Sequence, residues 1–232
     1  MGTGPIRPDH LDPLALEFLD LLRNTPAAGE IVLGGYFALR HYMDYRATHD
    51  LDAWWRTGRV EEALQAVRRV AAAVAERHGM VLGERQWGET VSFDLAREEK
   101  TVFSFQIAVR SIELDPATVS SWPPVLIESL HDNIGAKMNA LVERGAARDF
   151  LDIKEAVTRG LVSASTCWQL WSRKNPGRDP RAAMAHVLKH LEALEQRRPL
   201  AEIRDTVARD SARRARAWIR RTLLEQPDVP EE

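Results

Sequence analysis

Asp50 and Asp52 stand two residues apart in the run THDLDAWW, where Leu51, Trp54 and Trp55 are the company of a strand rather than a helix. On a strand, residues i and i+2 project from one face, so both carboxylates can reach the same divalent cation. Magnesium suits such a pair, because it is held through one or two carboxylates together with substrate phosphates rather than by a full protein cage. Upstream, Gly34-Gly35 closes the apolar run EIVLGG and precedes helical spacing in YFALRHYM. Glycine there either lets the backbone approach a phosphate or only makes a tight turn. Between the two features, Arg46 offers a charge-assisted donor and Thr48 a hydroxyl. The bland readings stay open: Thr48 as a local cap, the aspartates as polar residues of an exposed strand face. Trp54 and Trp55 fall on opposite faces as core or sheet cover, with base stacking by one of them as the alternative.

The elements that must position these residues can be read around them. Leu14–Leu22 has helical spacing and ends at Asn24-Thr25-Pro26, EIVLGG reads as a strand, and Val60–His78 is an amphipathic helix stopped by Gly79. VSFDLA and VFSFQIAV flank REEK as the arms of a hairpin. Beyond Trp122-Pro123-Pro124 every segment has helical spacing and none resembles a strand. Helices are predicted over roughly 125–144, 147–159, 163–173, 180–196 and 200–225, and Asp228–Glu232 reads as a frayed tail. The expectation is an α+β chain: residues 1–122 form a domain with a small mixed sheet flanked by helices, and residues 123–232 an all-helical domain that completes the site. No repeat at a fixed period and no low-complexity tract interrupts this plan.

Composition narrows the setting. In 232 residues, 44% apolar, 32 Lys and Arg oppose 34 Asp and Glu for a formal charge of -2, so no global field draws in a polyanion and nucleic-acid contact needs a local patch. Such a patch exists between Arg197 and Arg221, where nine arginines meet only Glu202, Asp205 and Asp210. Those arginines either track an RNA backbone or form the wet face of a helix that buries Ile203, Val207, Ala217, Trp218 and Leu224. Cys167, the single cysteine, sits among apolar neighbours as a structural thiol, and the MGTGPIRPDHLDPL start lacks the apolar run of a signal peptide. With no stretch long enough to cross a bilayer, a cytoplasmic setting is expected, without membrane partners. His41, His49, His78, His131, His186 and His190 form no convincing ligand cluster and read as surface histidines.

GGYFALRHYMDYRATHDLDAWW resembles the signature of the DNA-polymerase-beta-type nucleotidyltransferase superfamily, in which a glycine turn begins a helix and a following strand presents two aspartates. Within it, RxTxDLD at Arg46–Asp52 is similar to the AbiEii/AbiGii toxin group. KMNALVERGAARDFLDI, Lys137–Ile153, resembles the same group's downstream motif; 85 residues separate Asp52 from Lys137, and the two motifs occur in the family's order. The resemblance covers about the first 160 residues and leaves the last third unmatched. It implies a magnesium-dependent nucleotidyltransferase acting as the toxin of a toxin-antitoxin pair. Nucleoside monophosphate would pass from a nucleoside triphosphate (NTP) to a hydroxyl on RNA, such as a tRNA 3′ end, and an antitoxin protein would be a further partner.

The same resemblance assigns roles. Gly34, Gly35 and Thr48 would line the triphosphate with Arg46 beside it, and Asp50 and Asp52 would hold magnesium. Lys137 and Arg144 would neutralise triphosphate charge, and Asp149 would orient the lysine or the nucleotide, with Asp152 in support. Without the resemblance, Lys137 and Arg144 are ordinary helix cations and Asp149 an early-turn acid complementing a helix dipole. Two departures stand out. Gly-Gly replaces the Gly-Ser of many members, and Gln106 stands in FSFQIAV where the superfamily has a third carboxylate that also accepts a proton. Glutamine is no base, and Asp94 on the preceding strand substitutes only if the hairpin points it inward. Alternative readings therefore keep the site but modify a small molecule or a protein hydroxyl, or leave a decayed site that binds a nucleotide or partner without transfer.

Overall fold

The computed structural model describes residues 4–110 and 112–225, and the expected frayed tail at Asp228–Glu232 lies outside them. The chain divides into two compact units, Met1–Asn133 and Ile134–Glu232.

The first unit is built on a seven-stranded mixed sheet. Its strands are β1 (Ile31–Gly34), β2 (Asp50–Trp55), β3 (Val81–Trp87), β4 (Thr90–Arg97), β5 (Lys100–Ala108), β6 (Thr118–Val119) and β7 (Leu126–Ile127), in the spatial order β3-β4-β5-β2-β1-β7-β6. β2 runs antiparallel to β1 and parallel to β5, and β7 pairs parallel with β1. Alternation in the sequence gives the sheet two unlike faces. Leu51, Ala53 and Trp55, with Val91, Phe93, Leu95, Phe103, Phe105 and Ile107, are buried on one. They pack with α1 (Pro13–Leu22) and α3 (Glu61–Arg77), where the Phe18 ring stacks 4.7 Å from that of Phe105. The other face carries Asp50, Asp52, Ser92, Asp94, Ser104 and Gln106. Asp12 caps α1 by accepting from Leu14 N at 2.9 Å, and the two-residue turn of the β4–β5 hairpin is Glu98-Glu99, both at positive φ.

Two expectations need correcting here. The stretch beyond Trp122 is not free of strands. β7 follows it, Trp122 is itself fully buried in the first unit's core, and the helix expected from 125 begins only at Leu130, as α4 (Leu130–Glu143). A two-residue strand pinned between β1 and β6 is too short to display a period. β3 was also missed. As an edge strand exposed along most of its length, it has no buried face to impose alternation.

The second unit is helical: α5 (Ala147–Thr158), α6 (Ala164–Lys174), α7 (Pro180–Arg197) and α8 (Thr206–Trp218) follow the last turns of α4. The single helix expected over 200–225 is a 3-10 turn, α8 and a π-helical stretch Ile219–Leu224, whose Leu223 carbonyl accepts from Trp168 Nε1 at 2.8 Å. The inward residues also differ: Ala215, Ile219 and Leu223 are buried, while Val207 is 73% exposed. No helix among the described residues is long and apolar enough to cross a membrane.

Candidate active site

β1 ends at Gly34, directly opposite Asp52 on β2, and the chain turns into α2 (Gly35–Leu39). Gly35 lies in the left-handed region at φ +59, which favours glycine. A Cβ on Gly35 would meet Asp52 Oδ2 at 2.0 Å, and one on Gly34 would meet Trp54 Nε1 at 2.3 Å. The space left by the missing side chains is therefore filled by β2's own residues: the Asp52 carboxylate lies against one glycine and the Trp54 indole against the other. Asp50 projects from the same face and is exposed, and Asp52 is half-buried. Thr48 acts locally, its Oγ1 accepting from Asp50 N at 3.2 Å. Arg46 N donates to the Tyr36 hydroxyl at 2.9 Å, and its guanidinium sits 3.4 Å from the centre of the Tyr36 ring.

A residue that the sequence reading passed over ties this turn together. Glu128, just after β7, is fully buried. Its Oε2 accepts from Trp54 Nε1 at 3.0 Å and its Oε1 from Asn133 Nδ2 at 2.5 Å; the same Asn133 nitrogen also donates to the Gly35 carbonyl at 2.6 Å. Glu128 N donates to Leu33 O at 3.0 Å, and its carbonyl accepts from the Tyr42 hydroxyl at 3.0 Å. Burial, and then the charge of Glu128, push the Tyr42 phenol up to about 12. The sequence signal that marks the place is Ser129-x-x-Asp132, a reciprocal helix cap: Asp132 N donates to Ser129 Oγ at 3.0 Å, and Ser129 Oγ donates back to Asp132 Oδ2 at 3.1 Å.

On the polar face of the sheet, Gln106 of β5 is the direct neighbour of Asp52, so the position beside the aspartate pair is held by a neutral amide. Asp94 does share this face, because its partner Ser104 is also the partner of Asp50. Its carboxylate is already engaged, however. Oδ2 accepts from Arg85 Nη2 at 2.6 Å and Nε at 3.0 Å, and Oδ1 accepts from the hydroxyls of Ser104 at 2.9 Å and Ser92 at 3.1 Å. Two strand spacings, about 10 Å, separate its row from β2.

In the second unit, Lys137 on α4 and Arg144, the residue just past its end, lie seven residues apart, and each meets a fully buried carboxylate of α5. Lys137 Nζ pairs with Asp152 Oδ2 at 2.9 Å, and Arg144 grips Asp149 with Nε and Nη2 at 2.9 and 3.0 Å. The lysine's partner within the unit is thus Asp152, and Asp149 belongs to the arginine. After α4, Gly145 at φ +54 leaves room for His190, whose Cβ would stand 2.3 Å from an added Cβ and whose Nε2 lies 3.1 Å from the Val142 carbonyl.

The histidines are not all on the surface, which corrects the expectation. His41 is 3% exposed, and burial holds its ring down to about 4; His190 is half-buried. Cys167 is buried, with its thiol pushed up to about 12 by burial. Among the described residues no three or more His, Cys, Asp and Glu side chains gather as a metal site.

No family model matches the chain, and no curated protein matches it. Among solved structures, the crystal structure of the Megavirus polyadenylate synthase is similar at a TM-score of 0.37 and 9% identity, over 88% of this chain. The chain spans 39% of the length of that protein, and a likeness this slight carries no argument about activity.

Proposed function

We propose that the chain is a magnesium-dependent nucleotidyltransferase that moves a nucleoside monophosphate from an NTP to an acceptor hydroxyl. The observation that carries the reading is the Asp52 carboxylate seated against Gly35, with Asp50 on the same strand face. Two carboxylates, one exposed and one half-buried, suit a magnesium that keeps several waters and takes its other oxygens from the triphosphate. Asp50 and Asp52 would hold it, and when bound it neutralises charge on the phosphates as pyrophosphate leaves. The acceptor oxygen bonds to the α-phosphorus, the bridging bond to the β-phosphate breaks, and pyrophosphate departs with the electron pair. The acceptor proton passes to solvent, since Gln106 is no base and Asp94 is taken up by Arg85, Ser92 and Ser104. Gly34, Gly35, Arg46 and Thr48 line the nucleotide. Lys137 and Arg144 are assigned to triphosphate charge, and Asp149 to orienting them, by the sequence resemblance alone.

The finer reading is a toxin of the AbiEii type, paired with an antitoxin and modifying RNA such as tRNA. It draws on the two motifs and on the arginines of the last segment, of which Arg204, Arg213, Arg214 and Arg221 are exposed. A second reading, motivated by Gln106 beside Asp52, is a protein that binds nucleotide without transferring it.

Incubation of the pure protein with labelled NTPs, magnesium and total RNA tests these readings. Label entering RNA and lost in Asp50→Ala supports the RNA-directed enzyme. Label in protein or small molecules moves the acceptor elsewhere, and nucleotide binding without transfer to any acceptor leaves the second reading standing.

A further inference from the structure

β3 is the outermost strand of the sheet and, among the described residues, pairs on one side only, with β4. It is seven residues long, contains no proline, and carries Val81 at 72% and Trp87 at 48% exposure near its two ends. An edge of this length with apolar side chains is a template for another strand unless something blunts it.

The hairpin fixes which backbone groups are left over. β3 and β4 are joined by the two-residue turn Gly88-Glu89, with Gly88 at φ +57 and Trp87 paired to Thr90. In such a turn the first and fourth residues bond to each other, and along an antiparallel ladder bonded and non-bonded pairs alternate. Val81, Gly83, Arg85 and Trp87 therefore spend their backbone groups on β4. Leu82, Glu84 and Gln86 aim their N–H and C=O outward, away from the sheet.

We infer that β3 is a self-association edge that takes the β3 of a second copy of this chain, antiparallel about a two-fold axis at Glu84. In this register Leu82 exchanges hydrogen bonds with the partner's Gln86 and Glu84 with the partner's Glu84, about six bonds that use every outward group of the three residues. Val81 then faces the partner's Trp87, and Trp87 the partner's Val81. Both contacts are non-hydrogen-bonded pairs, in which side chains approach most closely and aromatic with β-branched partners are favoured. The strand's two exposed apolar residues are symmetric about Glu84, so one register covers both on each copy. The like charges at the axis are answered within each chain: Arg68 Nε and Nη2 donate to the Glu84 carboxylate at 2.7 and 2.6 Å.

Sedimentation equilibrium of the full chain across a range of concentrations tests the inference, with a monomer–dimer equilibrium as the expected result. Gln86→Pro removes one outward N–H but no bond to β4. It should leave the circular dichroism spectrum unchanged and weaken the dimer at least tenfold. If that variant does not fold, a chain carrying Val81→Cys and Trp87→Cys decides. The two positions lie too far apart along one strand to bridge within a chain, so mild oxidation should yield a disulfide-linked dimer in which peptide mapping finds position 81 of one copy joined to position 87 of the other, the pairing of this register. A chain that stays monomeric at every concentration, a dimer unmoved by Gln86→Pro, or an absence of the linked dimer overturns the inference.

Discussion

Replacing Gly35 with alanine tests whether the glycine turn and Asp52 are one mechanical unit. Two costs of different origin are expected. The left-handed backbone at φ +59 penalises any L side chain by about 1–2 kcal/mol, whatever surrounds it. The new methyl also enters the volume held by Asp52, with Oδ2 at 2.0 Å and Cβ and Cγ both at 2.7 Å, an overpacking worth about 1–3 kcal/mol in a well-packed site. The single variant should therefore lose about 2–5 kcal/mol.

The two costs separate in a double-mutant cycle. Every one of the three nearest atoms belongs to Asp52, so in an Asp52→Gly background the closest steric contacts are removed and the backbone share persists. Denaturant unfolding of the four proteins, followed by circular dichroism, should give a coupling of about 1–3 kcal/mol, while nucleotide-dependent stabilisation is lost in all three variants. A coupling within about 0.5 kcal/mol of zero would mean that Asp52 does not rest on Gly35, and would remove the geometric basis of the proposed site.

Asp152→Ala should be among the most damaging changes in the second unit, costing about 3–5 kcal/mol, because it leaves Lys137 nine-tenths buried without its 2.9 Å partner; calorimetry checks this. His41, held down to about 4 from an unfolded value of 6.5, contributes stability that is complete above pH 6.5 and is lost as pH falls toward 4. That loss is about 2 kcal/mol by pH 5, and His41→Leu should flatten it in unfolding titrations at pH 7 and pH 5. Gln106→Glu sets a carboxylate beside Asp52. If transfer is limited by proton removal, turnover should rise and its pH profile gain a carboxylate limb; an unchanged profile would place the limitation elsewhere.

Much of the framework was legible because it rests on local rules. The run IVLGG, the alternation in DLDAWW and the paired arms around REEK each carry their own period, and they became β1, β2 and the β4–β5 hairpin. α3 and α5 start and stop within a residue or two of their periodic segments. What escaped is what tertiary context alone decides. β7 exists because Val32 and Leu33 offer a parallel edge to Leu126 and Ile127, and β3 exists because β4 does. The break after Trp218 goes with burial of Ile219 and Leu223, not with any proline or glycine.

The same distinction divides the site. Asp50 and Asp52 announce themselves through a two-residue spacing, whereas Glu128 has no such spacing and becomes meaningful only when β7 carries it beside β1. There one carboxylate holds Trp54 through Nε1 and, through Asn133, the carbonyl of Gly35. Trp54 covers Gly34 and Asp52 covers Gly35, so the two glycines, the aspartate and the buried glutamate constrain one another from β1, α2, β2 and the position just after β7. Two glycines at the start of a helix offer room for a phosphate. The packing gives that room first to Asp52, and it is by accepting the aspartate that the turn fixes where a cation, and the phosphates that follow it, would be held.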